Sequence, residues 1–84
     1  MTYSIVLEKP AQKFLKRLSK EEKSRILKAL QKLPKGDVKA MQGYRGYYRL
    51  RVGDYRVIYT IDNGHYIVCV VDIGNRGDIY KRYR

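Results

Sequence analysis

The stretch Tyr47–Ile61, YYRLRVGDYRVIYTI, predicts a β-hairpin. Its residues alternate with period two on both sides of Gly53-Asp54, and glycine at the first of two loop positions is typical of a type II′ turn. The turn fixes a register that pairs Val52 with Tyr55, Arg51 with Arg56, Leu50 with Val57 and Arg49 with Ile58. Like charges directly opposite on a sheet destabilise it by roughly 0.2–1 kcal/mol. We therefore expect the facing arginines to have an anionic ligand.

The composition indicates one small, basic domain that spans residues 1–84. The formal net charge is +11 and the pI is near 10.0, which favours a polyanionic partner. Most of the lysines lie between Lys9 and Lys39, whereas seven of the nine arginines lie from Arg45 onward. Because an arginine can hold a phosphate bidentately, the second half of the chain is the expected binding region.

A cytoplasmic protein without membrane association is expected. The single Cys69 lies in an apolar run, 66–71, and cannot form an internal disulfide, which fits a reducing compartment. Residues 1–8 become charged too soon for a signal peptide, and that six-residue apolar run is far below the roughly 20 residues that span a bilayer. With one His and one Cys, and no phosphate-binding loop or dinucleotide fingerprint, we predict neither a metal site nor a cofactor.

The first half of the chain predicts a strand and two helices. Residues 2–7 predict the strand, and Pro10 suits the first turn of a helix. Ser19 opens the second helix, with Glu22 three residues later completing a capping box, and Pro34-Lys35-Gly36 ends it. The expected buried positions are Ala11, Phe14, Leu15 and Leu18 in the first helix, and Ile26, Leu27, Leu30 and Leu33 in the second. The short connection predicts an antiparallel helical hairpin.

The second half predicts the sheet. Residues 35–46 suggest a polar connection with Met41 turned inward, and Asn63-Gly64 predicts a tight turn into a strand over 65–73. That turn would pair Ile61 with Tyr66, Tyr59 with Val68, Val57 with Val70 and Arg56 with Val71. The loop 74–78 would then emerge beside the Gly53-Asp54 turn, and 79–84 would form a closing strand or tail.

The predicted architecture is a two-layer α+β domain: an N-terminal strand, a helical hairpin, and a three- to four-stranded, mainly antiparallel sheet. One sheet face would receive the helices through Tyr48, Leu50, Val57, Tyr59, Val68 and Val70. The other face would carry the three hairpin arginines beside Ile58, Cys69 and Val71.

The candidate site combines Arg49, Arg51 and Arg56 with Arg76 on the loop above them and Tyr80 four residues further. Such a platform would hold a phosphodiester and stabilise the extra charge of a pentavalent transition state. A neutral tyrosine hydroxyl would orient the substrate or relay a proton. The ordinary alternative for any single arginine is a solvated surface side chain, and for Tyr80 a packing role. Further candidates for RNA contact are Arg45, Tyr47, Lys81 and Arg82.

The segments 48–59, YRLRVGDYRVIY, and 74–80, GNRGDIY, closely resemble the RelE/ParE toxin superfamily, and most closely its RelE branch. The resemblance covers nearly the whole chain and implies the RelE-like microbial RNase fold. It implies that Arg49 and Arg51 fill paired basic positions on the first hairpin strand. Arg56 would be the phosphate-binding arginine, Arg76 the loop arginine and Tyr80 the tail tyrosine.

The resemblance also implies a ribosome-dependent endoribonuclease that cuts messenger RNA in the A site and is neutralised by a RelB-like antitoxin. The toxin alone is expected to be monomeric. Two departures from the family pattern matter. Gln42 stands where the resemblance implies a basic residue. The best-known member of the family has lysines where Arg49 and Arg51 stand, and arginine is a far poorer proton acceptor than lysine.

Cleavage would proceed by attack of the ribose 2′-hydroxyl on the adjacent phosphate. An antitoxin segment that is acidic or amphipathic would bind the basic face and contact Ile58, Cys69 and Val71. A ParE-like inhibitor of DNA gyrase, which acts by binding without RNA cleavage, is the alternative. A plain RNA-binding module without activity is a third hypothesis.

Overall fold

The computed structural model describes residues 3–33, 35–36 and 38–82, apart from the side chains of Tyr80 and Arg82. Its elements in chain order are β1 (Ser4–Leu7), α1 (Lys9–Lys16), α2 (Lys20–Leu30), β2 (Val38–Ala40), β3 (Tyr47–Val52), β4 (Tyr55–Asp62), β5 (Ile67–Asn75) and α3 (Arg76–Arg82). The strands form one sheet in the order β1-β5-β4-β3-β2. β1 is parallel to β5, and the other pairs are antiparallel.

The predicted α+β class is confirmed, and so is the face that receives the helices. α1 packs on β5 and α2 on β3. The core between the layers includes the predicted sheet residues Leu50, Val57, Tyr59, Val68 and Val70, with Tyr48 partly buried against it. The sheet has five strands, more than predicted, because residues 38–40 of the expected connection form the edge strand β2. Among the described residues, no helix is both long and apolar enough to cross a membrane.

The first hairpin is as predicted, including its register. Arg51 lies opposite Arg56, and Leu50 lies opposite Val57. Gly53 has a φ of +59°, whereas Asp54 is not among the residues with positive φ. That combination is the type II′ pattern, in which only the first loop residue needs the conformation that glycine adopts at low cost.

The helices begin as predicted, but α2 ends early. Ser19 caps α2, and its hydroxyl accepts the Glu22 backbone N–H at 3.2 Å. α2 ends at Leu30, and Leu33 is buried from the turn that follows. The predicted burial of Leu27 is wrong, since the residue is 38% exposed. Pro34, part of the predicted stop signal, and Thr2, the predicted start of β1, lie outside the described residues.

The predicted register of the second hairpin is wrong. Ile61 lies opposite Val68 and Arg56 lies opposite Gly74. The turn has four residues, 63–66, because the Asp62 carboxylate accepts the His65 backbone N–H at 3.1 Å and contacts the His65 ring at 2.8 Å. This shifts the register by two residues. A β-bulge at Val71 of β5, opposite the Ile58–Tyr59 step of β4, then shifts the register by one more residue.

The chain ends in a helix where a loop and a closing strand or tail were predicted. Gly74 and Asn75 extend β5, and α3 begins directly at Arg76. α3 packs against β4 and β5, and its Ile79 is fully buried outside the main core. Ile58 is also fully buried outside that core, on the face opposite Val57 and Tyr59. We infer that α3 covers the sheet face that carries the arginines. Tyr83 and Arg84, predicted in the tail, lie outside the described residues.

Candidate active site

A lysine that the sequence analysis missed lies in the row of arginines. β2 pairs with β3 so that Lys39 is directly opposite Arg49. Val38 packs against the core, and strand alternation therefore turns Lys39 to the opposite face of the sheet. β2 has only three residues, too few for a recognisable strand pattern. The alternation of Val38, Lys39 and Ala40 was the available signal.

Four cationic side chains line one small cavity on this face. The cavity has a volume of about 90 Å³, and the described residues that line it are Lys39, Arg49, Arg51 and Arg56. They come from three neighbouring strands, β2, β3 and β4. The structure therefore brings the three hairpin arginines together as predicted, and it adds the lysine. We call these four residues the basic cluster.

Arg56 forms the buried floor of the cluster. It is only 6% exposed, and its Nη1 donates to the Gly53 carbonyl at 2.8 Å and to the Tyr55 carbonyl at 2.9 Å. Its Nε is buried without a hydrogen-bond partner among the described residues. A buried, unsatisfied N–H is costly, by about 1–3 kcal/mol. Arg56 therefore stabilises the β3–β4 turn through Nη1. Its Nε–H finds no acceptor in the described part of the chain.

The bulge in β5 places an acid next to the basic cluster. It leaves Asp72 opposite Ile58, in the same row as Arg49, while Ile73 turns into the core opposite Val57. Asp72 is 7% exposed, and its Oδ1 accepts the Ile73 backbone N–H at 2.9 Å. Without the bulge, alternation would direct the carboxylate toward the core. The bulge thus keeps a negative charge on the face that carries the cations.

Arg76 lies at the predicted end of the sheet but does not line the cavity. Its backbone N–H donates to the Asp54 carbonyl at 2.8 Å, which fixes the start of α3 beside the β3–β4 turn. Its side chain is exposed. The structure therefore brings the three hairpin arginines together, whereas Arg76 is not among the residues that line the cavity.

Of the remaining candidate residues, the structure describes the side chains of Arg45, Tyr47 and Lys81. Arg45 is exposed in the β2–β3 connection, and Lys81 is exposed on α3. Tyr47 is half-buried on β3, with its ring 6.2 Å from that of Tyr44 in an edge-to-face contact. Tyr80 belongs to α3, but the predicted roles of the Tyr80 and Arg82 side chains lie outside what the structure describes.

Cys69 on the same face is not arranged as a nucleophile. Its thiol donates a hydrogen bond to Glu8 Oε2 at 3.4 Å. Burial and the neighbouring Glu8 carboxylate raise the pKa of the Cys69 thiol. Because the thiolate is the reactive form, this environment makes the sulfur less reactive.

Comparison with known proteins identifies the family. The model of the family described as the ParE toxin of the type II toxin–antitoxin system parDE matches residues 5–80. The chain belongs to this family. The RelE/ParE superfamily inferred from the hairpin and tail motifs is thereby confirmed.

Individual proteins similar to this chain include RelE toxins. This chain is 44% identical to Toxin RelE from Mycobacterium tuberculosis over 36 residues, which are 43% of this chain and 37% of that protein. The archaeal RelE of the RelE–RelB complex from Pyrococcus horikoshii is 32% identical, with a TM-score of 0.75 over 93% of this chain and 99% of that one. One chain of the toxin–antitoxin complex RelBE2 from M. tuberculosis superposes on this chain with a TM-score of 0.77, over 90% of this chain and 100% of that one. The two are 22% identical, so this likeness supports the fold alone.

Proposed function

We propose that this toxin is a ribosome-dependent endoribonuclease that cleaves messenger RNA in the ribosomal A site. The observation that carries the proposal is the basic cluster, in which four cations from three strands line one cavity. Such an arrangement is electrostatically costly in the free protein and suits a phosphodiester.

The proposed reaction is an intramolecular transesterification. The ribose 2′-oxygen attacks the adjacent phosphorus, the bond from phosphorus to the 5′-oxygen breaks, and a 2′,3′-cyclic phosphate remains. Arg49 and Arg51 bind the non-bridging oxygens and neutralise the charge that accumulates in the transition state. Arg56 holds the phosphate from the floor of the cavity, and Arg76, exposed at the start of α3, binds the substrate. Tyr80 orients the RNA or relays a proton.

The proposed dependence on the ribosome follows from what the three arginines of the cluster supply. Guanidinium groups bind and polarise a phosphate, but they do not accept protons at physiological pH. Much of the acceleration must then come from holding the 2′-oxygen in line with the leaving oxygen, a geometry that relaxed RNA seldom adopts. A ribosome that extends the message across the cluster would provide it. This function places the toxin in the cytoplasm.

We also propose a RelB-like antitoxin as the cognate partner. The P. horikoshii relative was crystallised as a RelE–RelB complex. A basic face on a chain of net charge +11 favours an acidic or amphipathic segment. One predicted contact is wrong: Ile58 is fully buried and not available to a partner, whereas Cys69 and Val71 are partly exposed.

Inhibition of DNA gyrase by binding is the second candidate, because the matching family model is that of the ParE toxin. Induction of the toxin in growing cells discriminates the two. Discrete new 5′ ends within messages, mapped by primer extension, support RNA cleavage. Accumulation of cleaved DNA without such ends would support gyrase inhibition and overturn the proposal.

The Arg51→Ala variant links the activity to the basic cluster. Arg51 is exposed, so the variant is expected to fold while it loses both the new 5′ ends and growth arrest. Lys28→Ala is the matched control, since it removes one exposed positive charge on α2. A fully toxic Arg51→Ala variant would contradict the proposed site.

A further inference from the structure

We propose that Lys39 is the proton acceptor for the 2′-hydroxyl in the RNA cleavage proposed above, on which this inference rests. Among the described residues that line the cavity, Lys39 is the one whose side chain can lose a proton and then accept another. Arginine stays protonated at any pH at which the protein is folded. The missed strand β2 thus supplies the chemical group that the three arginines lack.

The fold fixes the position of Lys39 through its neighbours in β2. Val38 packs against the core, and the Val38 N–H donates to the Gly36 carbonyl at 3.0 Å. At the other end, the Met41 N–H donates to the Tyr47 carbonyl at 3.0 Å. The Met41–Tyr47 hydrogen bond and the pairing with β3 hold the three-residue strand in register, so that Lys39 lies opposite Arg49. The amine is therefore carried by an anchored strand and not by a free loop.

Protection of the sheet edge is the ordinary explanation for such a lysine. β2 is the last strand of the sheet, and lysine on an edge strand discourages pairing with other chains. Edge protection would not, however, require Lys39 to share a cavity with three arginines. Two like-charged pairs lie directly opposite each other here, Lys39 with Arg49 and Arg51 with Arg56. Each is expected to cost roughly 0.2–1 kcal/mol.

Lys39 acts in the step that forms the new bond to phosphorus. The neutral Lys39 amine takes the proton of the 2′-hydroxyl and becomes an ammonium, while the 2′-oxygen forms a bond to phosphorus. The bond from phosphorus to the 5′-oxygen breaks, and the 5′-oxygen keeps the electron pair. That oxygen takes a proton from water, and the ammonium returns its proton to the resulting hydroxide. The sum is a cyclic phosphate and a 5′-hydroxyl, with the enzyme unchanged.

The groups that face Lys39 from neighbouring strands must be separated from it in a test. They are Arg49, Arg51 and Tyr47 on β3, Arg56 on β4 and Asp72 on β5. The arginines do not titrate in the accessible range, so Tyr47, Asp72 and the proposed proton relay Tyr80 are the other sources of a pH dependence to be tested. Tyr47→Phe, Asp72→Asn and Tyr80→Phe identify any inflection that comes from those three side chains.

The deciding experiment measures single-turnover cleavage of a defined message on purified ribosomes between pH 6 and 9. Lys39→Arg keeps the charge and the edge protection but removes the proton acceptor. Its rate is expected to fall by about 100-fold or more, the usual contribution of a general base, while ribosome binding is retained. Lys39→Met, checked by thermal unfolding, is expected to lose the same activity without losing the fold.

Chemical rescue provides the second readout. A Lys39→Cys, Cys69→Ser variant alkylated with bromoethylamine carries a thialysine, a less basic amine, at position 39. We expect cleavage to return, with its pH dependence displaced to lower pH than in the Cys69→Ser parent. A Lys39→Arg variant with the wild-type rate would overturn the assignment of Lys39 but not RNA cleavage. A wild-type protein that cuts no message on ribosomes would overturn both.

Discussion

Arg51 lies directly opposite Arg56 across β3 and β4, and the two cations occupy contrasting environments. Arg51 is exposed, whereas Arg56 is 6% exposed and bonded to two turn carbonyls. We therefore expect Arg56 to contribute to the stability of the fold and Arg51 to contribute little. Substitutions at the two positions should therefore separate stability from function, although both residues line the same cavity.

Arg51→Glu is expected to stabilise the protein while it abolishes toxicity. The change replaces a repulsive cross-strand pair with an attractive one, which should raise the free energy of unfolding by roughly 0.5–1 kcal/mol. Urea denaturation measures the gain, and growth after induction measures toxicity. Lys28→Glu makes the same charge change in the last turn of α2, where an acid opposes the helix dipole, and should lower stability by roughly 0.3–1 kcal/mol. A toxic Arg51→Glu variant would contradict the account.

Arg56→Ala is expected to lower the free energy of unfolding by about 1–3 kcal/mol, because the carbonyls of Gly53 and Tyr55 lose a charged donor. Loss of toxicity in this variant alone would then be ambiguous. Thermal unfolding alongside Arg51→Ala resolves the two effects. An Arg56→Ala protein as stable as wild type would show that these hydrogen bonds contribute nothing to the turn.

Ser19→Ala is expected to destabilise the protein by about 1 kcal/mol, because it removes the acceptor for the Glu22 N–H at the start of α2. Ser24→Ala is the matched control within the same helix, at an exposed position where alanine is the better helix former. It should be neutral or slightly stabilising. Equal urea midpoints for the two variants would argue against the cap.

Tyr59 is expected to make the protein sensitive to alkali. Burial, together with the adjacent Tyr48, raises the pKa of Tyr59 to about 12. The folded state therefore retains a proton that the unfolded chain releases above about pH 10. The associated stability is fully present below that pH and is lost as the pH rises from about 10 toward 12. Tyr59→Phe should lack this loss, and the difference between the two proteins' denaturation free energies isolates it. Parallel pH profiles would contradict the burial of the hydroxyl.

The local pattern predicted the first hairpin because its turn, its alternation and its register are all set within fifteen residues. The second hairpin was predicted less well for an equally physical reason. Asn63-Gly64 favours a two-residue turn, but the Asp62 side chain binds His65 and closes a longer one. The bulge at Val71 keeps Asp72 out of the core. No local motif in the sequence indicates this bulge.

The site was predicted to the extent that it depends on one hairpin. Arg49, Arg51 and Arg56 were placed together by counting residues from Gly53-Asp54. Lys39 was missed because an edge strand of three residues forms only against a neighbour that is already in place. The start of α3 at Arg76 depends on a long-range hydrogen bond to Asp54, which local propensity cannot reveal.

The most direct test of the central claim is the chemical identity of the RNA ends produced on ribosomes. Purified toxin is mixed with ribosomes that carry a defined message, and the products are analysed by mass spectrometry. We predict a 2′,3′-cyclic phosphate at the cut with wild-type protein, and no cut with Arg51→Ala. An intact message with wild-type toxin, or the same cut with Arg51→Ala, would contradict the claim that the basic cluster cleaves RNA.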